Sequence, residues 1–325
     1  MRSILIALLF ALPLSAVDAA PQPVDRAALA AELAKAHKLD ADQVAATLAG
    51  ARYQQSIIDA ITRPAEAKPW KAYRPIFMTE ARISGGRAFL AEHRQALDAV
   101  ARETGVPAEM IVAIIGVETN YGRNTGSHRV LDALFTLGAH YPPRQTFFRS
   151  ELGHLFKLAN EEQLDLGAIK GSYAGAMGWG QFMPSSYLAY ARDGDGDGRR
   201  DLFNSLPDVF ASIANYFVAH GWQAGQPVAV PALLAADARE FKPDTMEAKF
   251  SLAELGSKGY RASTPVDETL KATVINLEGD HGREHWIGFR NFYVISRYNR
   301  SPLYSLAVYQ LSRAIADPAV DAAAP

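Results

Sequence analysis

The sequence predicts a mainly α-helical protein with a small β-rich insertion near its carboxyl end. Apolar residues recur at helical spacing through most of residues 76–222, and this spacing returns over residues 303–316. Between these regions, β-branched and aromatic residues partly alternate and are separated by Gly, Pro and Asp, as in short strands. The chain has 325 residues, of which 49% are hydrophobic and 21% charged, so it can bury a sizeable core.

The first residues have the pattern of an export signal. Arg2 precedes an apolar run over residues 4–14, and Val17 and Ala19 occupy the two small-residue positions of a cleavage site. We therefore expect residues 1–19 to be a signal peptide that is removed. The alternative is an uncleaved membrane anchor, but this apolar run is too short to span a bilayer.

Composition excludes several classes of protein. The chain contains no cysteine, so it has no disulfide, no thiolate nucleophile, no Cys-ligated zinc and no lipid-modified N-terminal Cys. Its net charge is −2 with Lys and Arg spread along the chain, which argues against nucleic acid as a partner. Export without disulfides suits a bacterial periplasm. We therefore expect a soluble periplasmic protein without a lipid anchor.

The patterns divide the chain into six segments. Residues 25–63 alternate Ala- and Leu-rich helical stretches with polar breaks, and Asp40 is expected to cap one of these helices. The segment RPAEAKPWKAYRP at 63–75 carries three prolines and is interpreted as a connector. The predicted segments are a signal peptide (1–19), an N-terminal helical domain (20–75), a helical core (76–222), a small β-rich insertion (223–290), a final core segment (291–316) and a flexible tail (317–325).

Glu118 is the first candidate for chemistry. Met110, Ile111, Ile114, Ile115 and Glu118 fall on one face of a helix that starts after Pro107 and should stop at Gly122. Glu118 therefore extends the apolar stripe, and a carboxyl against apolar walls has a raised pKa, as a general acid requires. The alternatives are that fraying of the helix exposes Glu118 to water, or that an arginine pairs with it.

A glycine-rich stretch, KGSYAGAMGWGQFMPSSY at 170–187, is the second candidate. It fails as a phosphate cradle because no G-K-[ST] follows and no strand pattern precedes it. A groove for a sugar polymer fits better, since Ser172 and Gln181 supply a hydroxyl and an amide for hydrogen bonds. Tyr141, Tyr173, Trp179, Tyr187, Tyr216, Tyr298 and Tyr304 supply rings for stacking on sugars, although each single ring is as well explained by core packing.

The third candidate is the acidic loop 193–208, DGDGDGRRDLFNSLPD. Its first half matches an EF-hand calcium loop, and the matching residues are Asp193, Asp195, Asp197, Gly198 and, through its backbone carbonyl, Arg199. Asn204 stands where the bidentate Glu is expected, and Asp208 could close a longer loop. The alternative is a solvated Asp-Gly turn, but clustered carboxylates repel one another unless a cation lies among them. We expect one structural calcium ion.

The segment HGREH at 281–285 matches a zinc-peptidase pattern that requires a helix. Here it lies between two strand-like runs, next to LEGD and Gly282, so a hairpin tip is the prediction and a zinc site is not.

Together these blocks resemble the lytic murein transglycosylase B family, glycoside hydrolase family 103. The matching blocks are GVETNYG, YPPRQTFFRSELGHLF, KGSYAGAMGWGQFMPSSY, the DGDGDG loop, ANYFVAHGW and FRNFYVISRYN, and the resemblance covers roughly residues 70–312. It implies a lysozyme-like helical core with an N-terminal helical domain and an inserted β domain. It also implies cleavage of the β-1,4 bond between N-acetylmuramic acid and N-acetylglucosamine in peptidoglycan, with calcium and no organic cofactor.

The resemblance assigns roles to individual residues. It places the catalytic glutamate on Glu118, and the substrate-binding residues on Ser172, Gln181, Tyr298, Asn299, Tyr304, Arg144, Tyr73 and Tyr216. It places the terminal calcium ligand on Asp208, in a loop one residue longer than is usual for the family. Phe147 stands where a tyrosine is common, and the lipid-acceptor cysteine of some relatives is absent. The expected partners are peptidoglycan glycan strands and other cell-wall enzymes.

Two alternative functions remain at this point. A lysozyme-type hydrolase would cleave the same bond with water, and a calcium-stabilised binding module would hold peptidoglycan without turnover. Most glycosidases pair two carboxylates, yet the motif around Glu118 offers no obvious partner, since Asp132 follows only 14 residues later. We therefore expect one carboxyl to perform both proton transfers of a transglycosylase, which forms 1,6-anhydromuramoyl ends.

Overall fold

The structure is a computed structural model that describes residues 23–63 and 68–317. The predicted signal peptide and nearly all of the predicted tail lie outside the described residues. Within them are fourteen α-helices: α1 Arg26–His37, α2 Ala41–Ala49, α3 Gln55–Ile61, α4 Trp70–Phe77, α5 Glu80–Glu92, α6 Arg94–Thr104, α7 Ala108–Thr119, α8 Val130–His140, α9 Gln145–Glu162, α10 Pro184–Tyr190, α11 Leu206–Ala219, α12 Leu252–Ser257, α13 Arg290–Tyr298 and α14 Pro302–Ala316. A short 3₁₀ helix covers Pro142–Arg144.

The same residues contain seven β-strands: β1 His128–Arg129, β2 Lys170–Gly171, β3 Ala229–Leu234, β4 Phe250–Ser251, β5 Tyr260–Ala262, β6 Lys271–Gly279 and β7 Gly282–Gly288. The strands β1 and β2 form a two-stranded antiparallel pair. The other five form one antiparallel sheet in the order β4-β6-β7-β3-β5. The fold is therefore mainly α with a small β part, as the sequence predicts.

Helix α7 lies at the centre of the helical core. All seven of its residues from Met110 to Gly116 are buried, because this run contains no polar side chain. The helix packs against α5, α6, α11 and α14, and so has neighbours on every side. A helix that is apolar all round is stable only inside such a core. Its carboxyl end therefore carries Glu118 out from the middle of the protein.

The N-terminal helices pack onto the core through α9. Leu29 and Leu33 of α1 are buried in the main core, and α1 contacts both α2 and α9. Asp40 caps α2, with its carboxylate accepting a 2.8 Å hydrogen bond from the amide of Gln43. The capping role predicted for Asp40 is confirmed, and such a cap contributes about 1 kcal/mol to a helix.

The five-stranded sheet is fixed to the helical core by one of its faces. Ile275, Leu277 and Trp286 belong to the main core, whereas Val274 and Ile287 point into a separate small core of the sheet. This division follows from the two-residue alternation of side chains along a strand. Asp280 and His281 form the turn between β6 and β7, and the rest of HGREH lies in β7, so the predicted hairpin is confirmed.

The connector predicted at 63–75 is wrong over its second half. Residues Trp70–Phe77 form helix α4, with Pro69 at its amino end and Pro75 in its last turn. Trp70 is 1% exposed and donates a 3.1 Å hydrogen bond from its indole to Glu284 of the sheet. Tertiary packing of this ring outweighs the local effect of the prolines. The domain boundary drawn at residue 75 thus falls inside a helix, and the domain division itself stays a prediction.

Two further element boundaries differ from the sequence expectation. The run HWIGFRNFYVIS has strand character only to Gly288, since α13 begins at Arg290. Helix α7 ends at Thr119, because Asn120 adopts left-handed backbone angles before Gly122 is reached. No helix within the described residues combines the length and apolar character needed to cross a bilayer.

Candidate active site

Glu118 lies in the last turn of α7, half-buried, with its carboxyl held by one hydrogen bond. The hydroxyl of Tyr304 donates to its Oε1 at 2.5 Å. Burial raises the pKa of Glu118 from an ordinary 4.5 to about 7, and the Tyr304 hydrogen bond lowers it by a smaller amount. Although part of the side chain remains exposed, the surrounding protein atoms disfavour its charged form. The carboxyl is therefore poised to hold or release a proton near neutral pH.

No arginine neutralises this carboxyl within the part of the chain that the structure describes. The ion pairs there do not include Glu118, and no basic group contributes to its pKa shift. Asp132, the next acid after Glu118 along the chain, is 3% exposed and pairs with Arg129. It also accepts hydrogen bonds from Arg52 and Gln54, so it holds the N-terminal helices onto α8. Glu118 thus has no carboxylate partner from this motif.

Two tyrosines beside Glu118 keep their protons. Burial, with the nearby Glu118 charge, raises the pKa of both Tyr298 and Tyr304 well above the ordinary value. Tyr304 is 3% exposed and uses its hydroxyl on Glu118. Tyr298 donates to the backbone oxygen of Gly180 at 2.6 Å, and so connects α13 to the glycine-rich stretch. Both groups act as fixed donors at neutral pH.

The chain turns sharply after Glu118, and a tyrosine holds this turn. Asn120 and Tyr121 both have left-handed backbone angles, with φ of 50° and 59°. The Tyr121 ring fills a slot between Gly86 and Gly116, where an added Cβ would lie 2.5 Å and 2.7 Å from its hydroxyl oxygen. That hydroxyl donates to the backbone oxygen of Arg82 at 2.8 Å. Packing of Tyr121 therefore maintains the strained turn that ends the Glu118 helix.

Ser172 and Gln181 bracket the glycine-rich stretch. The Ser172 hydroxyl oxygen accepts from the amides of Ala174 and Ala176 at 3.3 Å and 3.0 Å, which leaves its proton for another acceptor. Gln181 donates both amide hydrogens, to the carbonyl oxygens of Thr125 and Gly178 at 3.0 Å each. Since carbonyls only accept, the orientation of the amide is fixed and its Oε1 is left as an acceptor.

The remaining predicted groove residues divide by burial. Tyr73 and Tyr216 are 5% and 8% exposed, and the Tyr216 hydroxyl donates to the backbone oxygen of Arg297 at 2.6 Å. Both rings pack in the core and have little exposed face, and the substrate-binding roles expected of Tyr73 and Tyr216 stay predictions. Asn299 is half-buried directly after α13, where its backbone oxygen accepts from the Ser301 amide at 2.8 Å.

Arg144 and Phe147 form an exposed pair. The guanidinium carbon of Arg144 lies 4.3 Å from the centroid of the Phe147 ring, and that ring is 38% exposed. Tyr173, beside Ser172, is also 38% exposed. Both rings are exposed to solvent, with Arg144 lying over one face of Phe147. Phenylalanine at position 147 lacks the hydroxyl of the tyrosine expected there, but its ring keeps the same geometry for stacking.

The acidic loop brings its first three aspartates together. Ligand oxygens of Asp193, Asp195 and Asp197 all lie within 4.8 Å of one another, and all three residues are exposed. Hydrogen bonds from backbone amides, chiefly that of Gly198 and then that of Gly196, lower the pKa of Asp193, so this carboxyl is ionised at neutral pH. Carboxylate oxygens gathered on a tight loop are the ligands that Ca²⁺ prefers. The residues present therefore fit a calcium ion.

Asp208 does not belong to this three-residue cluster. It is 1% exposed, and its two oxygens accept from the amides of Gly194 and Asp201 at 2.7 Å and 2.6 Å. These bonds hold the start and the middle of the loop against α11, and they supply the partners that a buried carboxylate requires. Arg199 donates its amide to Asp197 at 2.8 Å. The metal-ligand roles of Asp208 and of the Arg199 carbonyl stay predictions.

Sequence reasoning missed two residues that shape the site, Thr119 and Tyr121. Both lie within three residues after Glu118, and both act through contacts with residues distant in sequence. The signal available was the order T-N-Y-G after an apolar helix, where polar residues precede a glycine. That order indicates a turn, but it does not say which segments the turn contacts.

A mainly helical fold that ends its central helix in one poised carboxyl, beside hydroxyl and amide groups, defines an acid–base enzyme acting on sugar bonds. The chain belongs to the transglycosylase SLT domain family, which matches residues 24–313. It is a peptidoglycan lytic transglycosylase, and the predicted resemblance is confirmed.

Three relatives show the extent of the similarity. Membrane-bound lytic murein transglycosylase B of Escherichia coli K12 is 39% identical over 290 residues, which are 86% of this chain and 79% of that protein. Soluble lytic transglycosylase SltB1 of Pseudomonas aeruginosa is 46% identical with a TM-score of 0.83, covering 90% and 98% of the two chains. The Escherichia coli Slt35 structure in complex with calcium is 38% identical with a TM-score of 0.81, covering 90% and 93%.

Proposed function

We propose that Glu118 alone performs both proton transfers as this transglycosylase cleaves the bond between N-acetylmuramic acid and N-acetylglucosamine. In the first step, protonated Glu118 donates its proton to the glycosidic oxygen while the bond from that oxygen to muramoyl C1 breaks. The N-acetylglucosamine side leaves with a hydroxyl. The substrate's own N-acetyl group stabilises the positive charge that develops at C1.

In the second step, the Glu118 carboxylate takes the proton from the muramoyl C6 hydroxyl, and the C6 oxygen bonds to C1. A 1,6-anhydro ring forms, Glu118 regains its proton, and no water is consumed. One group can act as acid and then base when its pKa lies close to the working pH. A general acid–base group contributes about 10²- to 10⁴-fold to such a rate.

The observation that carries this proposal is the environment of Glu118. Its pKa of about 7 provides the protonated form at neutral pH, and the Tyr304 hydroxyl stabilises the carboxylate formed in the first step. Asp132 is engaged elsewhere, so the second carboxylate of a two-carboxylate glycosidase has no candidate in the motif.

Product analysis tests the proposal. Purified protein is incubated with peptidoglycan sacculi in water enriched in heavy oxygen, and the released muropeptides are measured by mass spectrometry. A transglycosylase yields 1,6-anhydromuramoyl ends without label, each lighter by one water than a hydrated end. Labelled, hydrated reducing ends would instead establish the water-using hydrolase.

A Glu118→Gln variant separates enzyme from binding module. The enzyme loses release of soluble muropeptides while still sedimenting with sacculi, because the amide keeps the shape of the carboxyl. A binding module would release nothing in either form. Glu103→Gln, an exposed change in α6, is the matched control and should keep full activity.

The substrate groove is proposed to run from Ser172 and Gln181 past Tyr298 and Asn299 toward the Arg144–Phe147 pair. Two groups support this path: the free proton of Ser172 and the free Oε1 of Gln181. They offer one donor and one acceptor for the N-acetyl and hydroxyl groups of aminosugars. Tyr73 and Tyr216 would support the groove from behind.

Calcium is proposed as a structural ion of the loop 193–208, held by Asp193, Asp195 and Asp197, with the Arg199 carbonyl and Asp208 as candidate further ligands. Bound there, the ion supplies positive charge that offsets the repulsion of the clustered carboxylates. The calcium complex of the relative Slt35 supports the identity of the metal. The loop lies between α10 and α11, so it holds these two helices in place.

We further propose that the protein acts in the periplasm, where its substrate lies, after removal of residues 1–19. Its partners there are peptidoglycan glycan strands and other cell-wall enzymes. Fractionation of cells producing the tagged protein, with sequencing of the mature N-terminus, tests the location. An N-terminus at Met1 in a membrane fraction would contradict it.

A further inference from the structure

Trp179 connects three segments that meet behind the active site. Its backbone amide donates to the carbonyl oxygen of Leu202 at 3.0 Å, and its indole Nε1–H donates to that of Phe203, also at 3.0 Å. Leu202 and Phe203 belong to the second half of the acidic loop. Trp179 itself lies two residues before Gln181. One residue therefore attaches the glycine-rich stretch to the acidic loop at two points.

The third connection runs to the Glu118 helix through Thr119. The Thr119 hydroxyl lies 3.1 Å from the carbonyl oxygens of both Ile115 and Trp179, so its proton joins the last helical turn to the glycine-rich stretch. The same hydroxyl accepts from the amide of Gly122 at 3.1 Å. Thr119 is 1% exposed, so these bonds are shielded from water and each is costly to leave unmade.

Packing reinforces the hydrogen bonds. The Trp179 ring lies so close to Gly122 that a Cβ there would be 2.4 Å from it, at a backbone φ of 77°. Glycine is therefore required at position 122 both for its backbone angles and for the approach of the ring. The ring also lies 6.1 Å from that of Phe89 on α5. The turn after Glu118 therefore packs between the Trp179 ring and the core.

From these contacts we infer that Thr119 and Trp179 are positioning residues, which hold Glu118 in register with Gln181 and transmit the conformation of the acidic loop to both. Neither side chain needs to touch the substrate. The inference rests on the proposed role of Glu118, and it adds a reason why an acidic loop is built beside this site. A displacement of about 1 Å at a catalytic group can cost about a hundredfold in rate.

Thr119→Val tests the hydrogen bond between the last turn of α7 and the glycine-rich stretch. Valine keeps the volume and removes the hydroxyl, so the C-terminal turn of α7 loosens. We expect kcat to fall by about tenfold to a hundredfold while KM stays within about twofold. Water then reaches Glu118 more easily, so the basic limb of the pH profile moves to lower pH. Thr119→Ser restores the hydroxyl and should recover most of kcat.

A lower melting temperature in Thr119→Val, with unchanged kcat and an unchanged pH profile, would give Thr119 a merely structural role and overturn the inference. Wild-type protein measured in the same assay keeps this outcome distinct from failure of the proposed function, because wild type then still produces anhydro ends. If Thr119→Val does not fold, Trp179→Phe provides the second test of the same kinetic split.

Trp179→Phe also tests the link to the acidic loop, since phenylalanine keeps a ring and loses the Nε1–H. The matched control is Trp222→Phe, because Trp222 donates an equal 3.0 Å hydrogen bond to Gly105 away from the site. Addition of calcium alone should change the indole emission of wild type and of Trp222→Phe, and the change should vanish in Trp179→Phe. An emission change that survives in Trp179→Phe would overturn this link.

Discussion

The hydroxyl of Tyr304 lies 2.5 Å from Oε1 of Glu118, across 186 residues of sequence. Helix α14 contributes the phenol and helix α7 the carboxyl, and the two helices pack directly on each other. Burial favours the protonated carboxyl, whereas the phenol favours the carboxylate. The balance of these opposed effects sets the proton affinity on which the mechanism depends, and it can be changed one effect at a time.

Tyr304→Phe removes the donor and leaves burial in place. Because the lost hydrogen bond had lowered the pKa of Glu118, that pKa should rise above its present value of about 7. Activity requires the protonated form, so the basic limb of the profile of kcat/KM against pH moves to higher pH. The rate itself should fall by about tenfold or more, as the carboxylate is stabilised less.

Tyr309→Phe is the control for this change, because Tyr309 lies on the same helix and is half-buried. It should leave the pH profile in place. A basic limb that moves to lower pH in Tyr304→Phe would mean that the phenol does not stabilise the carboxylate.

Glu118→Gln should change stability in a pH-dependent way. The folded pKa of about 7 exceeds the ordinary 4.5, so the contribution of Glu118 to stability is fully present below pH 4.5 and is lost as the pH rises through 7. Glutamine does not ionise, so the variant does not lose stability in this pH range. At pH 8 it should be more stable than wild type by up to about 3 kcal/mol, less what partial exposure of the carboxyl removes.

Urea unfolding at pH 5 and pH 8 measures this difference, with Glu103→Gln as the exposed control. Equal stability of Glu118→Gln and wild type at pH 8 would show that the carboxyl is well solvated when charged, and the proposed mechanism would lose its basis.

Removal of calcium should lower the melting temperature. When the free concentration of an ion is a hundred times its dissociation constant, binding adds about 2.7 kcal/mol to the free energy of unfolding. A chelator should then lower the melting temperature by several degrees, at roughly 2–4 °C for each kcal/mol. Asp197→Asn should remove this calcium dependence, because it deletes one charge from the cluster while its Oδ1 still accepts from the Arg199 amide.

Asp267→Asn is a close control for Asp197→Asn. Asp267 also accepts from the amide two residues on, that of Thr269 at 2.9 Å, and it lies outside the acidic loop. Its variant should keep the full response to chelator. If the melting temperature of wild type is the same with and without chelator, the assignment of the loop as a calcium site is wrong.

Substitutions of Gln181 should affect the stability of the protein and its binding of substrate differently. Its backbone is left-handed, with φ of 50°, which costs a non-glycine residue about 1 kcal/mol or more. Gln181→Gly relieves this cost and so offsets part of the loss of the two amide hydrogen bonds, whereas Gln181→Ala does not. Both variants lose the free Oε1, and KM should rise in both.

Thermal melting and kinetics on soluble glycan strands measure the two properties of the Gln181 variants. Gln181→Gly should melt above Gln181→Ala by a few degrees, with similar KM. An unchanged KM in both variants would remove Gln181 from the proposed groove.

Local patterns predicted those parts of the site that adjacent residues build. Glu118 follows from the apolar periodicity of its own helix, and the cluster of Asp193, Asp195 and Asp197 from spacing within one loop. The same kind of pattern misled at residues 63–75, since three prolines indicated a connector where α4 forms. There, burial of Trp70 decides the structure, and its partner Glu284 is far away in sequence.

By itself the sequence determined the helical class, the inserted strands, the poised carboxyl and the acidic loop, because each is a property of neighbouring residues along one element. The tertiary structure alone decided that Tyr304 is the hydrogen-bond partner of Glu118, and that Tyr73 and Tyr216 lie in the core. It also decided that Thr119 and Trp179 join three segments. These contacts depend on how helices distant in sequence pack, and that packing minimises the energy of the whole core rather than of any local pattern.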